Sequence, residues 1–465
     1  MIAQSFHSKK KLPDNWKIVP LREVLTDIIG GGTPSKSNPK FWNGSIPWFT
    51  VKDMRTRRPT DSVDHISEDA VNKSATNIIP KDTVIIATRI GLGKVIRVPF
   101  ASAINQDLKA LIASPEIDKG YLEYWIMSIA DYLENMGSGT TVKGIRLETL
   151  RELPFPFAPL EQQKAIVQEI EKQFSRLDEA VAGLKRAKAN LKRYKAAVLK
   201  AAVEGKLTEE WRKEHPDVEP ASELLKRILA ERKKKWEEEH PGKKYKEPAA
   251  PDTSNLPDLP EGWVWATIEQ VAIKVQYGSS AKTNEDQDGI PIIRMGNIFE
   301  GRLKLDDLKY LPKNHSEFPE LLLKESDLLF NRTNSPELVG KTAVYKDMPK
   351  PCSFASYLIR VQFDNSARSN FVSYYINSNA GRRWIKSVVS QQVGQANVNG
   401  SKLQALSVPF PPDAEQEKIA EEIENYCSVI DEIEKVIEIN LKRVERLRQS
   451  ILQKAFSGGF NGRNR

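Results

Sequence analysis

The sequence predicts an α+β protein in which two pseudo-twofold-related α+β domains are separated by an antiparallel two-helix coiled coil. The first observation is an internal repeat, because Leu-Pro-Asp-Asn-Trp at 12–16 returns as Leu-Pro-Glu-Gly-Trp at 259–263. The second is that each copy ends in a long segment with apolar residues three and four positions apart, a spacing typical of a coiled-coil helix. A chain that contains two copies of one unit is expected to bind a target that has two parts.

The repeat divides the chain into five segments. We expect a first mixed domain at 1–157, a spacer helix at 158–205, a linker at 206–258 with a helix over 221–239, a second mixed domain at 259–412, and a second spacer helix with a tail at 413–465. Each mixed domain holds about 150 residues, which is an ordinary domain size.

Short apolar runs bounded by turns predict strands in the mixed domains, at 46–49, 83–87, 290–293 and 327–330. Longer apolar stretches predict helices near 121–132 and 371–389. Strands and helices in this mixture indicate α+β domains.

The spacer helices are predicted from their apolar seams. The seam positions are Ile170, Phe174, Leu177, Val181, Leu184, Leu191 and Val198 in the first helix and Ile423, Ile430, Ile437, Leu441, Val444 and Ile451 in the second. Neither stripe is buried by one helix alone, so we expect the two helices to pack together. Antiparallel packing is favoured, because a parallel pair would send the linker back along the whole rod.

Composition favours a globular protein with an anionic partner. The net charge is +8, and both mixed domains carry a basic excess, with 21 basic and 17 acidic residues in 1–157 and 18 and 15 in 259–412. The two cysteines show no metal or disulfide spacing. Apolar runs are too short to cross a bilayer, so we expect a cytoplasmic protein with no membrane contact.

No catalytic constellation is found in the sequence. Gly340-Lys341-Thr342 resembles the end of a phosphate loop, but Ser335 stands where the first glycine is required. The five histidines never fall at metal-ligand spacing, so no metal site is expected.

The candidate binding residues lie in polar, cationic turns that follow the predicted strands. Arg and Lys neutralise phosphates or bind guanine edges, while Asn and Gln suit adenine edges. Each residue alone also fits an ordinary solvent-facing turn, but recurrence at matching places, as with Arg89 and Arg332, favours the set. The candidates are Lys36, Lys52, Arg55, Arg57, Arg58, Arg89, Lys94, Thr141, Lys143 and Arg146 in the first domain, and Arg294, Asn297, Asn331, Arg332, Asn334, Lys341, Gln391, Gln392, Gln395, Asn397, Asn399 and Lys402 in the second.

With these features, the chain resembles the specificity subunit of Type I restriction-modification enzymes over nearly its full length. The resemblance rests on the two Leu-Pro-x-x-Trp openings, on Pro-Leu-Glu-Gln-Gln-Lys at 159–164 and Ala-Glu-Gln-Glu-Lys at 414–418, and on the matching segments 198–212 and 450–459; Glu161 is taken to match Glu415. It implies two target-recognition domains on an antiparallel spacer, each reading one half of a split double-stranded DNA sequence.

The resemblance also implies the partners. Two modification subunits would carry S-adenosylmethionine and methylate adenine, and restriction subunits would cleave DNA with ATP and Mg, so no cofactor is expected on this chain. The spacer would then act as a ruler that fixes the gap between the half-sites.

Two other classes of function remain open from the residues alone. A scaffold holding two peptide-binding domains would bind DNA weakly and without salt dependence, whereas phosphate contacts are lost steeply with added salt. An autonomous DNA-modifying enzyme would transfer methyl groups as the isolated chain.

Overall fold

The computed structural model describes residues 12–137, 144–346, 351–392 and 395–460. The chain forms two compact units: unit 1 comprises 1–186 and 437–465, and unit 2 comprises 187–436. Each unit contains one mixed domain and one end of each long helix. Among the described residues, no helix is long and apolar enough to cross a membrane.

The mixed domain of unit 1 contains two four-stranded sheets and one two-stranded sheet. In spatial order, the sheets are Leu25–Gly30, Leu108–Ala113, Thr83–Ala87 and Val95–Val98; Asp64–Ile66, Ile46–Phe49, Ser102–Ile104 and Ile78–Ile79; and Lys17–Pro20 with Pro154–Phe157. The helices are Glu68–Asn72, Lys119–Ser128, Ala130–Met136 and Leu147–Arg151, with 3-10 turns at Leu21–Val24, Pro39–Trp42 and Val51–Asp53.

The mixed domain of unit 2 repeats this plan with more short strands. Its sheets are Lys274–Tyr277, Leu358–Gln362, Leu328–Asn331 and Thr342–Val344; Lys309–Leu311, Ile290–Ile293 and Ser353–Phe354; Thr333–Asn334, Gln395–Asn397 and Ser390–Gln392; Ile298–Phe299 with Arg302–Leu303; and Val264–Thr267 with Ser407–Phe410. Its helices are Ile268–Val271, Ser366–Asn377, Asn379–Val388 and Gly400–Gln404, with a 3-10 turn at Met295–Asn297. The linker contains the helices Glu209–Glu214 and Ala221–Glu239.

The single helices expected near 121–132 and 371–389 are each two helices. Ile129 ends the first of them by donating its N–H to Ile126 and Met127. Ser378 separates the other two, because its hydroxyl accepts the N–H of Gly381 and so starts a new helix. Because apolar periodicity continues across both breaks, the sequence pattern alone does not reveal either of them.

The two long helices are Leu160–Val203 and Asp413–Phe456, each of 44 residues. They run antiparallel. In unit 1, Asp178 pairs with Arg448, whose guanidinium also lies 5.0 Å from the Phe174 ring centre. In unit 2, Tyr194 packs edge-on against Tyr426, with ring centres 6.2 Å apart.

The seam of the first helix is buried most deeply near its two ends. Burial falls to partial along the middle of the first helix, where small and charged residues interrupt the stripe. Fully buried seam residues are Ile170, Phe174, Val198, Ile423, Ile430, Ile437 and Val444, and partly buried ones are Leu177, Val181, Leu184, Leu191, Leu441 and Ile451.

Each mixed domain is joined to the start of a long helix by a tryptophan. The Trp16 indole donates to Gln162 (2.8 Å), and the Trp263 indole donates to Glu415 (2.7 Å). The side-chain amide of the next residue binds the backbone just before each helix. Gln163 donates 2.7 Å to the Ala158 carbonyl, and Gln416 donates 2.7 Å to the Pro411 carbonyl. Glu415 therefore matches Gln162, and the sequence match with Glu161 was one residue out of register.

The end of each long helix docks on the opening of the other repeat within the same unit. Gly205 and Gly458 both adopt positive φ, at +69° and +78°. A side chain on Gly205 would meet Pro260 at 2.6 Å, and one on Gly458 would meet Pro13 at 2.5 Å. The Leu-Pro-x-x-Trp motif is therefore the surface against which the helix ends pack.

Candidate nucleic-acid interface

Polar loops converge at one edge of the mixed domain in unit 1. The N–H of Asn105 donates 3.0 Å to Phe49, and the N–H of Arg89 donates 3.2 Å to Asp107, so the loops after separate strands are tied together. The N–H of Ile145 donates 2.8 Å to Thr88. We call this surface the first-domain edge, and it comprises the loops 30–36, 50–55, 88–94, 105–109 and 144–146.

The same edge is built in unit 2. The N–H of Ala355 donates 2.9 Å to Ile293, and the N–H of Arg332 donates 3.0 Å to Tyr357. Val398 donates 2.9 Å to the Arg332 carbonyl. The second-domain edge comprises the loops 277–283, 294–297, 331–334, 355–357 and 397–399. Arg332 therefore matches Thr88, whose N–H donates 2.9 Å to Asp107 and whose carbonyl accepts the N–H of Ile145, while Arg89 matches Thr333. The sequence match of Arg89 with Arg332 was one residue out of register.

A glycine is required at the same point of both edges. A Cβ on Gly31 would lie 2.0 Å from the Ile104 carbonyl oxygen, and one on Gly278 would lie 2.4 Å from that of Phe354. Any side chain there collides with backbone, so the glycine permits the close approach of two loops.

Arg89 lies in a charged cluster on the first-domain edge. Its half-exposed guanidinium is 3.4 Å from the Asp107 carboxylate. Burial lowers the pKa of the neighbouring Lys109, an effect that Asp107 opposes and Arg89 reinforces. The cluster presents excess positive charge beside an internal carboxylate.

The other predicted cations of this edge are exposed. Arg55 and Lys94 line a shallow cleft of about 260 Å³. Among the described residues they form no ion pair, and the same holds for Lys36, Lys52 and Arg146. Thr141 and Lys143 lie outside the described residues.

Arg57 and Arg58 instead point to a buried carboxylate. Glu123 is fully buried and is contacted by Arg58, by Arg97 at 3.2 Å and by Arg57 at 3.8 Å. Burial lowers the pKa of Arg58, but its hydrogen bond to Glu123 and the charge of Glu123 outweigh burial and leave it raised. The Arg57 and Arg58 guanidinium groups therefore anchor their loop internally.

Arg332 is held in place on the second-domain edge. Its guanidinium lies 4.8 Å from the Tyr277 ring centre and 3.5 Å from the Ser356 carbonyl oxygen. The Tyr277 hydroxyl in turn accepts the N–H of Gly400 at 2.7 Å. Sequence reasoning missed Tyr277, because no local pattern pairs it with an arginine 55 positions away.

Arg294 and Asn297 stabilise their own loop. Arg294 donates to Asp307 at 3.2 Å. The Asn297 side chain is buried, accepts the Arg294 N–H at 2.8 Å and donates to the carbonyls of Lys304 and Asp306. This turn borders a cavity of about 770 Å³, which Met295 and Tyr357 also line.

Most other predicted amides of unit 2 have internal partners. Asn331 is buried, Asn334 accepts the N–H of Ser335 at 2.8 Å, and Asn397 donates 2.6 Å to Thr333. Asn399 accepts the N–H of Lys402 at 2.9 Å.

The remaining predicted residues of unit 2 lie close by. The Lys402 ammonium donates to the Val388 carbonyl at 2.6 Å and to Ser390 at 2.7 Å, while the half-buried Lys341 accepts the Asn331 N–H through its carbonyl at 2.9 Å. Gln391, Gln392 and Gln395 lie in the short strands Ser390–Gln392 and Gln395–Asn397, of which the structure describes the backbone.

The described part of the chain contains no cluster of three or more His, Cys, Asp or Glu residues able to hold a metal ion. The two edges offer charged groups, amide groups and, in unit 2, aromatic rings.

A duplicated α+β domain on paired antiparallel helices, with one polar edge per domain, defines a class of two-domain specificity subunits. The chain belongs to the Type I restriction modification DNA specificity domain family, whose model matches residues 13–190 and 260–443. It is similar to the Type I restriction enzyme EcoKI specificity subunit of Escherichia coli (strain K12), with 25% identity over 464 residues, 97% of this chain and 90% of that protein. The StySPI specificity subunit of Salmonella potsdam is 24% identical with the same coverage.

Solved structures share the fold. The HsdS subunit from Thermoanaerobacter tengcongensis matches with a TM-score of 0.53 and 18% identity, covering 97% of this chain and 99% of that one. A chain from "Structural basis underlying complex assembly and conformational transition of the type I R-M system" matches with a TM-score of 0.65 and 17% identity, covering 96% and 98%.

Proposed function

We propose that each mixed domain reads one half of a split double-stranded DNA target through its edge. The observation that carries this proposal is the duplicated edge, in which the same loops meet through matching backbone hydrogen bonds and an arginine, Arg89 or Arg332, lies within one position of the same point. Cationic side chains at strand-end loops suit phosphate and guanine contacts. The chain itself performs no catalysis and works in the cytoplasm, where it directs adenine methylation by two modification subunits and cleavage by restriction subunits.

The cofactors belong to those partners. S-adenosylmethionine would bind the modification subunits, and ATP and Mg the restriction subunits. A methyl-transfer assay on the isolated chain should therefore give no product, and activity should appear when modification subunits are added.

An apolar stripe on the second long helix is the proposed docking surface for modification subunits. Val429 and Ile433 are 57% and 41% exposed, although they are large apolar residues on a helix whose seam is already buried. A stripe of this kind fits a helix supplied by a partner protein.

The long helices would set the gap between the half-sites. Four residues inserted into each helix, between 186 and 187 and between 436 and 437, add roughly 6 Å to each. That length corresponds to about two base pairs at ~3.4 Å per base pair. An insertion of four residues is also one that paired helices absorb by local unwinding.

Mapping methylated adenines in cells that express this variant with its modification subunits tests the proposal. We expect both half-sequences to be retained and the gap to grow by one or two base pairs. Replacing four exposed residues in the same segments, without changing length, should leave the gap unaltered. An active double-insertion variant that keeps the original gap would contradict the proposal.

A further inference from the structure

The two edges share a backbone plan but differ in side-chain chemistry. Asp107 and Tyr357 are equivalent, because their carbonyls accept the N–H groups of Thr88 and Arg332, which follow the matching strands Thr83–Ala87 and Leu328–Asn331. A carboxylate in one repeat thus stands where a half-exposed aromatic ring stands in the other.

The first-domain edge is a surface of unpaired cations. Five of its exposed basic residues have no ionic partner among the described residues, while Ile90 is its one large apolar residue exposed there. The five are Lys36, Lys52, Arg55, Lys94 and Arg146. Unpaired cations of this kind neutralise phosphates irrespective of base sequence.

The second-domain edge has most of its positive charge engaged. Arg294 is paired with Asp307 and Arg332 is stacked on Tyr277, so of the three cations in these loops Lys282 alone has no partner in the described part of unit 2. Large apolar groups are exposed in their place. They are Tyr277, Met295 and Tyr357, at 43%, 39% and 50%.

We infer that the two edges divide the work of binding: the first-domain edge supplies most of the phosphate contacts, and the second-domain edge supplies contacts to base edges through Met295 and Tyr357. Thioether and aromatic groups gain from apolar contact with bases, including the thymine methyl group, and are insensitive to salt. This inference rests on the proposed function, since both edges are taken to face DNA.

Equilibrium binding of the chain with its modification subunits, measured by fluorescence anisotropy between 50 and 300 mM salt, tests the division. Two duplexes are compared, one carrying the mapped target and one scrambled. Lys52→Ala combined with Lys94→Ala should reduce the slope of log affinity against log salt by about two, because each phosphate contact contributes about 0.9. The loss should be similar on both duplexes.

Variants of the second-domain edge should behave differently. Met295→Ala combined with Tyr357→Ala should keep the wild-type slope and weaken binding to the target duplex by about tenfold, without changing binding to the scrambled one. Met295→Ala alone repeats the measurement of slope and affinity with a smaller structural change. Lys234→Ala with Lys235→Ala, on the helix Ala221–Glu239, removes equal charge away from the edges and should change neither quantity.

Equal slopes for the wild-type and Lys52/Lys94 variants, or a reduced slope in the Met295/Tyr357 variant, would overturn the inference while DNA recognition stands. A wild-type complex that binds both duplexes equally would overturn the proposed function and the inference with it.

Discussion

Glu415→Gln is expected to lower the free energy of unfolding of unit 2 by about 2–3 kcal/mol. Glu415 is 1% exposed and accepts hydrogen bonds from Trp263 (2.7 Å), Thr208 (2.6 Å) and Arg212 (2.7 Å). Arg212 also donates 2.7 Å to the Gly205 carbonyl. One carboxylate therefore joins the start of the second long helix to the end of the first and to the opening of the second domain.

The magnitude follows from what the amide can still do. Removing one partner of a buried ion pair costs about 3–5 kcal/mol, because the remaining charge is uncompensated. The Arg212 side chain is 20% exposed, and the glutamine amide oxygen still accepts hydrogen bonds, so we expect a loss at the lower end of this range or below it. For a unit of about 250 residues, this loss shifts the melting temperature by about 5–10 °C.

Hydrogen exchange followed by mass spectrometry locates the effect. Peptides covering 205–214 and 413–420 should lose protection, while those covering 13–20 and 160–166 should be unchanged. Gln162→Ala is the matched control, because it removes the tryptophan partner in unit 1 without removing a charge. It should lower the free energy of unfolding of unit 1 by about 1–2 kcal/mol. Protection should then be lost in the peptides covering 13–20 and 160–166 and kept in those covering 205–214 and 413–420. An effect of Glu415→Gln below about 0.5 kcal/mol, or equal loss of protection in both units, would refute this reasoning.

Three further changes have defined outcomes. Glu123→Gln leaves three guanidinium groups around a neutral amide, so urea denaturation should show unit 1 destabilised by about 3 kcal/mol; unchanged stability would mean that the buried pairs contribute little. Gly31→Ala should weaken DNA binding at least as much as Lys52→Ala, because the methyl group displaces the Ile104 carbonyl, and wild-type affinity in the anisotropy assay would contradict that collision. Val429→Asp with Ile433→Asp should abolish co-purification of the modification subunits at an unchanged melting temperature, whereas retained co-purification would place the docking surface elsewhere.

The long helices were predictable because their signal is local. Apolar residues at spacings of three and four, with a proline before each helix and a glycine after it, determine both the helices and their paired face. Antiparallel packing followed from connectivity. Breaks at Ile129 and Ser378 were not predictable from periodicity, because each is a local change in hydrogen bonding within an apolar stretch.

The position of the candidate edges was also predictable, since they lie where apolar strands end in polar turns. Which side chains are exposed on these edges was harder to predict from the sequence. Arg57 and Arg58 bind Glu123, which lies 65 residues beyond Arg58 in sequence. Burial of Asn297 and Asn331 likewise depends on tertiary contacts, and Tyr357 became a candidate only once its carbonyl was seen to match that of Asp107.

Exchange of residues 259–412 for the second domain of a relative with a different target, followed by mapping of methylated adenines, tests most directly whether one target is divided between two domains. We expect the wild-type chain to give a single motif of two defined halves with a fixed gap, and the exchanged chain to keep one half and the gap while the other half becomes that of the relative. An uninterrupted motif, or an exchange that alters both halves together, would contradict the division.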